Sequence, residues 1–375
     1  MWAMIVKEFR QLRRDRRTLA MMIVLPILLL VVLGYAASFD VPSIPVAVAG
    51  PGAAVATRAL PKPFDVVSTD SQAGRAWAQD QLRDGHAAVA VVTGAGAQPA
   101  VLIDGSQLFT AQATLTALSK AASAFPAGRP AVTILYNPGL KTSAVMIPGI
   151  AGVILVFIGT IITSLGVVRE RQTGTLEQLA VMPLRPRDVF LGKIAPYFGV
   201  AAVDLAIVVG VGIALFGVPF RGSALLFALG ALLFLFVTLG IGVLISTVSQ
   251  NQGQAIQLAV MTMLPQVLLS GLIFPLSAIA VGVRWIAYLL PLTYFNEISR
   301  GVMLRAEPIS SLWSPLLILA LLGLAVGTLA TLRFRGYLAP APARRTQRER
   351  DRAGYGQSEP VFLGDAAAPR AGQPE

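Results

Sequence analysis

The chain reads as an all-α membrane protein with six transmembrane helices plus a re-entrant segment. A small α/β extracytoplasmic domain interrupts it between the first and second spans. Three observations predict this. Hydrophobic residues make up 55% of the 375 positions, charged residues only 13%, and mean hydropathy is +0.70, far from a soluble domain. Six apolar runs, near 18–37, 147–168, 195–216, 224–246, 256–275 and 314–332, are about as long as a crossing of roughly 30 Å of hydrocarbon requires. Between 39 and 143, short β-rich runs alternate with polar helical stretches, the pattern of a small α/β fold.

Charge sets the expected orientation. The net charge of +11 would suit a nucleic-acid binder, but its distribution argues against one. Of 30 Lys and Arg, six fall in 1–17, five in 169–193 and eight after 332. With six crossings these zones share one side, which the positive-inside rule makes cytoplasmic. Both termini are then cytoplasmic, and the basic residues meet anionic membrane lipid rather than nucleic acid. The chain contains no cysteine, so disulfides and thiolate chemistry are excluded.

The elements follow in order. In 1–17, Trp2, Ile5, Val6, Phe9 and Leu12 share one helical face and the basic residues mostly face away, as in an interfacial helix. Span one (18–37) contains Pro26, an expected kink, and is too long for the core of a cleaved signal peptide. The domain at 39–143 shows β-rich runs at Ile44–Ala49, Phe64–Ser68, Ala87–Thr93 and Ala100–Asp104, with helical stretches at 71–84 and 106–125. Its seven Lys and Arg nearly balance six Asp, and a long loop translocates regardless of charge.

Span two (147–168) leads into a charge-dense stretch at 169–193, which cannot sit in lipid and is expected at the cytoplasmic face. Spans three (195–216) and four (224–246) are joined by a short connection, and span five is expected at 256–275. The next segment, 278–300, is too short for a crossing before its polar end and contains Arg284, so it reads as re-entrant or interfacial. Span six (314–332) carries Gly323 and Gly327, a small-xxx-small pair suited to close packing within or between subunits. The tail at 333–375 is basic and rich in Pro, Ala and Gly, and is expected to be disordered.

The order of residues in 169–193 is more specific than its composition. A charged helical end (Arg169-Glu-Arg-Gln) is followed by Gly174-Thr-Leu-Glu-Gln-Leu179, then Pro183-Leu-Arg-Pro and Leu191-Gly-Lys193. This resembles the ABC type-2 permeases, in the branch with a large extracytoplasmic domain between the first two spans. The likeness extends to the elbow-like 7–19, to Met146-Ile-Pro-Gly-Ile150 and to Tyr294-Phe-Asn-Glu-Ile-Ser-Arg-Gly301, with a permease core of about 144–336. Two positions depart from the family pattern: Arg16, where Pro is common, and Gln172, where a further Glu is common.

The resemblance implies that Glu170, Arg171, Gly174, Thr175, Leu176, Glu177 and Leu179 form a coupling helix on a separate ABC ATPase subunit. Leu176 and Leu179 would fill a groove, and Glu170, Arg171 and Glu177 would fix register through charge. It further implies a second permease, identical or related, and possible service to a periplasmic adaptor, in a bacterial inner membrane. The function implied is ATP-driven export of a hydrophobic or amphipathic molecule. The alternative is the same fold acting as a mechanical or signalling device. No phosphate loop, His-Glu-x-x-His or other catalytic motif occurs, and the single histidine is His86. No cofactor is expected here; ATP and magnesium belong to the partner ATPase.

Three further polar residues stand out. Asp204, near the middle of span three, costs about 2.5–3.5 kcal/mol at the bilayer centre, so it must face protein or water. It serves either a pathway or a hydrogen bond to a neighbouring helix. Glu297 and Arg300 are spaced to form a local pair, architectural or substrate-binding.

Overall fold

The computed structural model describes residues 27, 41–94, 99–120, 130–173 and 186–338, with the side chains of 186–191, 193 and 334–338 excepted. The interfacial helix at 1–17, nearly all of span one, the coupling residues Gly174, Thr175, Leu176, Glu177 and Leu179, and the tail beyond Leu338 lie outside the described residues.

The first compact layer is an α/β domain. Its five strands are β1 (Ile44–Ala49), β2 (Phe64–Asp70), β3 (Val89–Val92), β4 (Ala100–Asp104) and β5 (Ala131–Leu135), in the order β2-β1-β3-β4-β5. Only the β3–β4 pair is antiparallel. Strand β1 is interior, flanked by β2 and β3, and both its faces are apolar. Ile44, Val46 and Val48 pack with Ala53 of α1 (Ala53–Ala59) and Ala111 of α3 (Leu108–Lys120). Ala47 and Ala49 pack with Ala78 and Leu82 of α2 (Arg75–Arg83) on the opposite face. The alternation follows from the two-residue period of a strand.

Strand β5 feeds the helical layer almost directly. The side chain of Asn137 donates to the carbonyls of Gly105 (3.3 Å) and Lys141 (3.1 Å) and accepts from the Lys141 amide (3.0 Å). These bonds pin the short link. Helix α4 (Thr142–Phe157) then passes through one π-turn (Ile158–Ile162) into α5 (Thr163–Gln172). The 31-residue run is about 46 Å long at 1.5 Å per residue. It places the α/β domain and the start of the charged stretch at opposite ends of the bundle.

The bundle continues with α6 (Pro186–Phe216), α7 (Ala224–Val248), α8 (Gln252–Leu269), α9 (Val281–Ala287), α10 (Pro291–Arg300) and α11 (Ile309–Leu338). Ser223 caps α7 by accepting from the Leu226 amide, and Asn251 caps α8 by accepting from the Gln254 amide. Helix α7 is the hub. Its Phe234 ring stacks on Phe295 of α10 with centroids 4.5 Å apart, and both side chains are fully buried. Gly242 on α7 lies so close to the π-turn that an added Cβ would fall 2.5 Å from the Gly159 carbonyl oxygen. Gly323 and Gly327 of α11 face Phe236 of the same chain, so this small-residue pair serves packing within the subunit.

Among the described residues four helical runs are long and apolar enough to cross a membrane: Thr142–Gln172, Ile194–Phe216, Ala224–Val248 and Ile309–Arg333. The chain is therefore a multi-pass, mostly helical membrane protein. The apolar run at 256–275 departs from the expected single span. Its helix begins at the polar Gln252 under the Asn251 cap and stops at Leu269, and Gly271 turns the chain at φ +80°. After this break come the short helices α9 and α10, a π-turn at Gly301–Arg305 and Ala306 at φ 55°.

Candidate functional site

At the end of the bundle away from the α/β domain, α5 meets the turn between α7 and α8. The Arg171 guanidinium donates to the carbonyl of Ser249, and the Gln252 side chain donates to the Gln172 side-chain oxygen at 3.0 Å. The first residues of the charged stretch are thus braced against a second connection at the same end. The glutamine at 172 is part of this brace, a contact with no signal in the local sequence pattern.

The opposite end brings together residues far apart in sequence. Arg305 ends the π-turn after α10 and is 7% exposed. It reaches Asp104, the last residue of β4, at 3.3 Å, with Ser106 Oγ at 3.4 Å, and its other terminal nitrogen meets Glu307. Asp104 also accepts from the Ser106 amide at 2.8 Å. A buried acid–base–acid triad therefore ties the α/β domain to the segment between α10 and α11. Burial pushes the Glu307 carboxyl up to about 7, although Arg305 pulls the other way. The two acids raise the Arg305 guanidinium, outweighing its own desolvation. Nearby, burial and then the Asp104 charge push the Tyr136 hydroxyl up to about 12.

Beside the triad lies a cavity of about 550 Å³, bounded by the α/β domain, the start of α4, the break after α8, and α10. Its geometry is fixed by α10. Asn296 donates to the Ser270 carbonyl (3.2 Å) and hydroxyl (3.0 Å), and Arg300 donates to the carbonyls of Gly271 (3.1 Å) and Leu272 (3.4 Å). Thr293 donates to the Ala287 carbonyl at 2.6 Å, holding α10 against α9. Arg284 folds back onto the carbonyls of Ser277 and Ile279, which satisfies a cation inside an apolar run.

The expected Glu297–Arg300 pair is not formed: Arg300 turns to backbone carbonyls, because the broken end of α8 presents unsatisfied acceptors. Glu297 instead lines the cavity, with no hydrogen bond or ion pair among the described residues. Asp204 is half-buried on α6 and makes no hydrogen bond to a neighbouring helix among the described residues. Sequence reasoning missed the Asp104–Arg305–Glu307 triad. The available signal was that Arg221, Arg284, Arg300 and Arg305 are the only Lys or Arg from 194 to 332.

The family model described as "ABC-2 family transporter protein" matches residues 16–332, from the first apolar run to the end of the last. The chain belongs to the ABC-2 transporter family. Among curated ABC-2 relatives, the Escherichia coli K12 "Probable multidrug ABC transporter permease YbhR" is 32% identical over 200 residues, 53% of this chain and 54% of that protein. "Probable multidrug ABC transporter permease YbhS" of the same organism is 35% identical over 173 residues, 46% of each chain. "Inner membrane transport permease YhhJ" is 31% identical over 209 residues, 53% of this chain and 54% of that one. The chain spans about half the length of the curated relatives it matches.

Proposed function

We propose that this chain is the transmembrane permease subunit of an ATP-driven exporter. It moves a hydrophobic or amphipathic molecule out of the cytoplasm or inner leaflet of a bacterial inner membrane. The observation that carries the reading is the family match across 16–332, which includes the whole charged stretch. The names of the relatives support it. A separate ATPase subunit, holding ATP and magnesium, docks on residues 170–179; a second permease, identical or related, completes the translocator. Both termini and 169–193 face the cytoplasm, and the α/β domain faces outside, where a periplasmic adaptor can meet it. Nucleotide-driven closure of the ATPase subunits pulls on α5 and α6 and shifts the bundle between inward and outward states.

A second reading, a mechanical device that works on the α/β domain without moving a substrate, is favoured by one feature. Helix α4–α5, joined to β5 by the pinned six-residue link 136–141, reaches the charged stretch without a further break. ATP-dependent accumulation of a labelled amphiphile in proteoliposomes decides against that device.

The test of the docking claim is Leu176→Asp. An unpartnered charge in an apolar contact costs several kcal/mol, so the expected result is normal membrane insertion with loss of the co-purifying ATPase and of transport. Glu177→Ala, at the rim, should cost about 1 kcal/mol or less. Full ATPase association by Leu176→Asp would remove the coupling assignment.

A further inference from the structure

The buried stripe of the long helix changes phase at the π-turn between α4 and α5. On α4 it runs through Val145, Gly152 and Val156, and on α5 through Ser164, Val167 and Val168. An unbroken α-helix would set these two stripes about 100° apart, one residue out of phase. The turn at Ile158–Ile162 holds one extra residue and brings them into line. The same chain wound as α-helix throughout would have α5 rotated by about 100° against α4 and displaced by about 1.5 Å.

The turn is built for that second conformer. Thr163 is 0% exposed, and its hydroxyl finds no hydrogen-bond partner among the described residues. Three residues earlier, Thr160 donates to the Val156 carbonyl, four residues back, at 2.6 Å. In an unbroken α-helix the equivalent bond would run from Thr163 to the Gly159 carbonyl. Here the oxygen of that carbonyl lies against α7 instead, where a Cβ on Gly242 would fall 2.5 Å from it. This contact joins two glycines, and further along Val168 meets the small Ala255 and Ala259 of α8 beside Ile245, so few bulky side chains oppose rotation. Rotation also reaches the far end of α5. Arg171 and Gln172 would leave Ser249 and Gln252, so the brace is made in one conformer and broken in the other.

We propose that α5 rotates by one helical position against α4 as the π-turn anneals into α-helix, and that this rotation is the switch through which the ATPase subunit acts on the bundle. The inference rests on the export reading for the force that drives the rotation, and deepens it by naming the element that turns.

The test is deletion of Ile162, the exposed member of the turn, which removes the extra residue and leaves both buried stripes aligned. The full chain is purified with its ATPase subunit in lipid nanodiscs, and spin labels are placed on pairs of cysteines in a sequence that has none of its own. One pair replaces the exposed Arg169 and Gln250 beside the brace; the other replaces the exposed Arg221 and Val281 at the opposite end of the bundle. A rotation of about 100° carries a side-chain tip through about 8 Å, so in the otherwise wild-type chain ATP with vanadate should shift the first separation by at least about 4 Å. The second separation should change with it. The deletion variant should insert and keep its ATPase, and neither separation should respond. Should that variant fail to insert, Thr163→Val answers instead: losing the hydroxyl that only the unbroken helix satisfies should lower the rotated fraction by roughly two- to tenfold. The proposal is overturned if the first separation is unchanged by nucleotide in the wild-type chain, or if the second still responds in the deletion variant. Where the deletion fails, an unchanged rotated fraction in Thr163→Val overturns it. Labels that respond in a complex that moves no labelled amphiphile into proteoliposomes refute the export reading alone. Transport with the first separation fixed refutes the switch alone.

Discussion

Replacing Arg305 with Met removes one cation and strands two buried carboxylates. Asp104 is 0% exposed, and the Glu307 side chain is 2% exposed, so neither can recover hydration in place. The attraction between Arg305 and Asp104 alone, at 3.3 Å and an effective dielectric constant of about 20, is roughly 5 kcal/mol before desolvation is subtracted. Breaking a buried pair by deleting one partner costs about 3–5 kcal/mol. The native state can lower that cost by protonating Glu307, whose carboxyl is already pushed up to about 7, so the lower end of the range is expected at neutral pH. The effect should be local: the α/β domain should loosen from the bundle before either part unfolds. Hydrogen exchange on the full chain in nanodiscs reads this directly, as faster exchange in β4 and in 301–308 with β1 unchanged. Adding Asp104→Asn and Glu307→Gln to Arg305→Met removes the stranded charges and should restore most of the protection. Wild-type exchange in Arg305→Met alone would show that the triad contributes no net stability, and the reasoning about it would fall.

Three other outcomes follow from the same structure. The Glu307 carboxyl is raised from its ordinary 4.5 to about 7, so the folded junction binds a proton more tightly than the unfolded chain. Its stabilising contribution is present below about 4.5 and is lost as pH rises through about 7, seen as lower thermal stability of the junction at pH 8 than at pH 5.5, a difference that Glu307→Gln should abolish. A cysteine at the exposed Thr69, unique because the chain has none, should react with an impermeant maleimide in sealed cells; labelling only after permeabilisation would invert the topology. Asp204→Asn removes a charge costing about 2.5–3.5 kcal/mol in a bilayer, so membrane levels should equal or exceed wild type, and a fall in folded protein would expose a structural partner for the carboxylate.

Much of the architecture was written in local pattern. Strands β1 to β4 lie on the runs rich in Val, Ile and Ala that Gly and Pro punctuate, because strand preference and turn chemistry act over a few residues. Strand β5 is not among the β-rich runs that the sequence shows. Ala131–Leu135 is a short, half-exposed edge strand whose identity comes from pairing with β4, some thirty residues earlier. The early stop of α8 was equally hidden, since Ser270–Phe274 is as apolar as a helix end and only the backbone at Gly271 turns it aside. The site was harder still. Asp104 and Arg305 lie 201 residues apart, and no periodicity links them. Arg300 looked like the partner of Glu297 because helical spacing allows it, but the open carbonyls after α8 compete better, and that competition is a tertiary fact.

The Asn137 link gives the long helix a mechanical meaning. With three bonds at one end and no flexible connection before α4, α4–α5 works as a lever whose fulcrum lies where Gly159 meets Gly242. A tilt of about 10° about that fulcrum moves the two ends, roughly 20–25 Å away, by about 4 Å. That stroke exceeds the length of a hydrogen bond, so a pull at Gln172 that tilts the helix this far would strain the Asp104–Arg305 contact at the other end of the bundle. The π-turn at Ile158–Ile162 sits at mid-lever, where a helix with one residue of slack bends most readily, and so sets how much of each stroke is delivered and how much is absorbed.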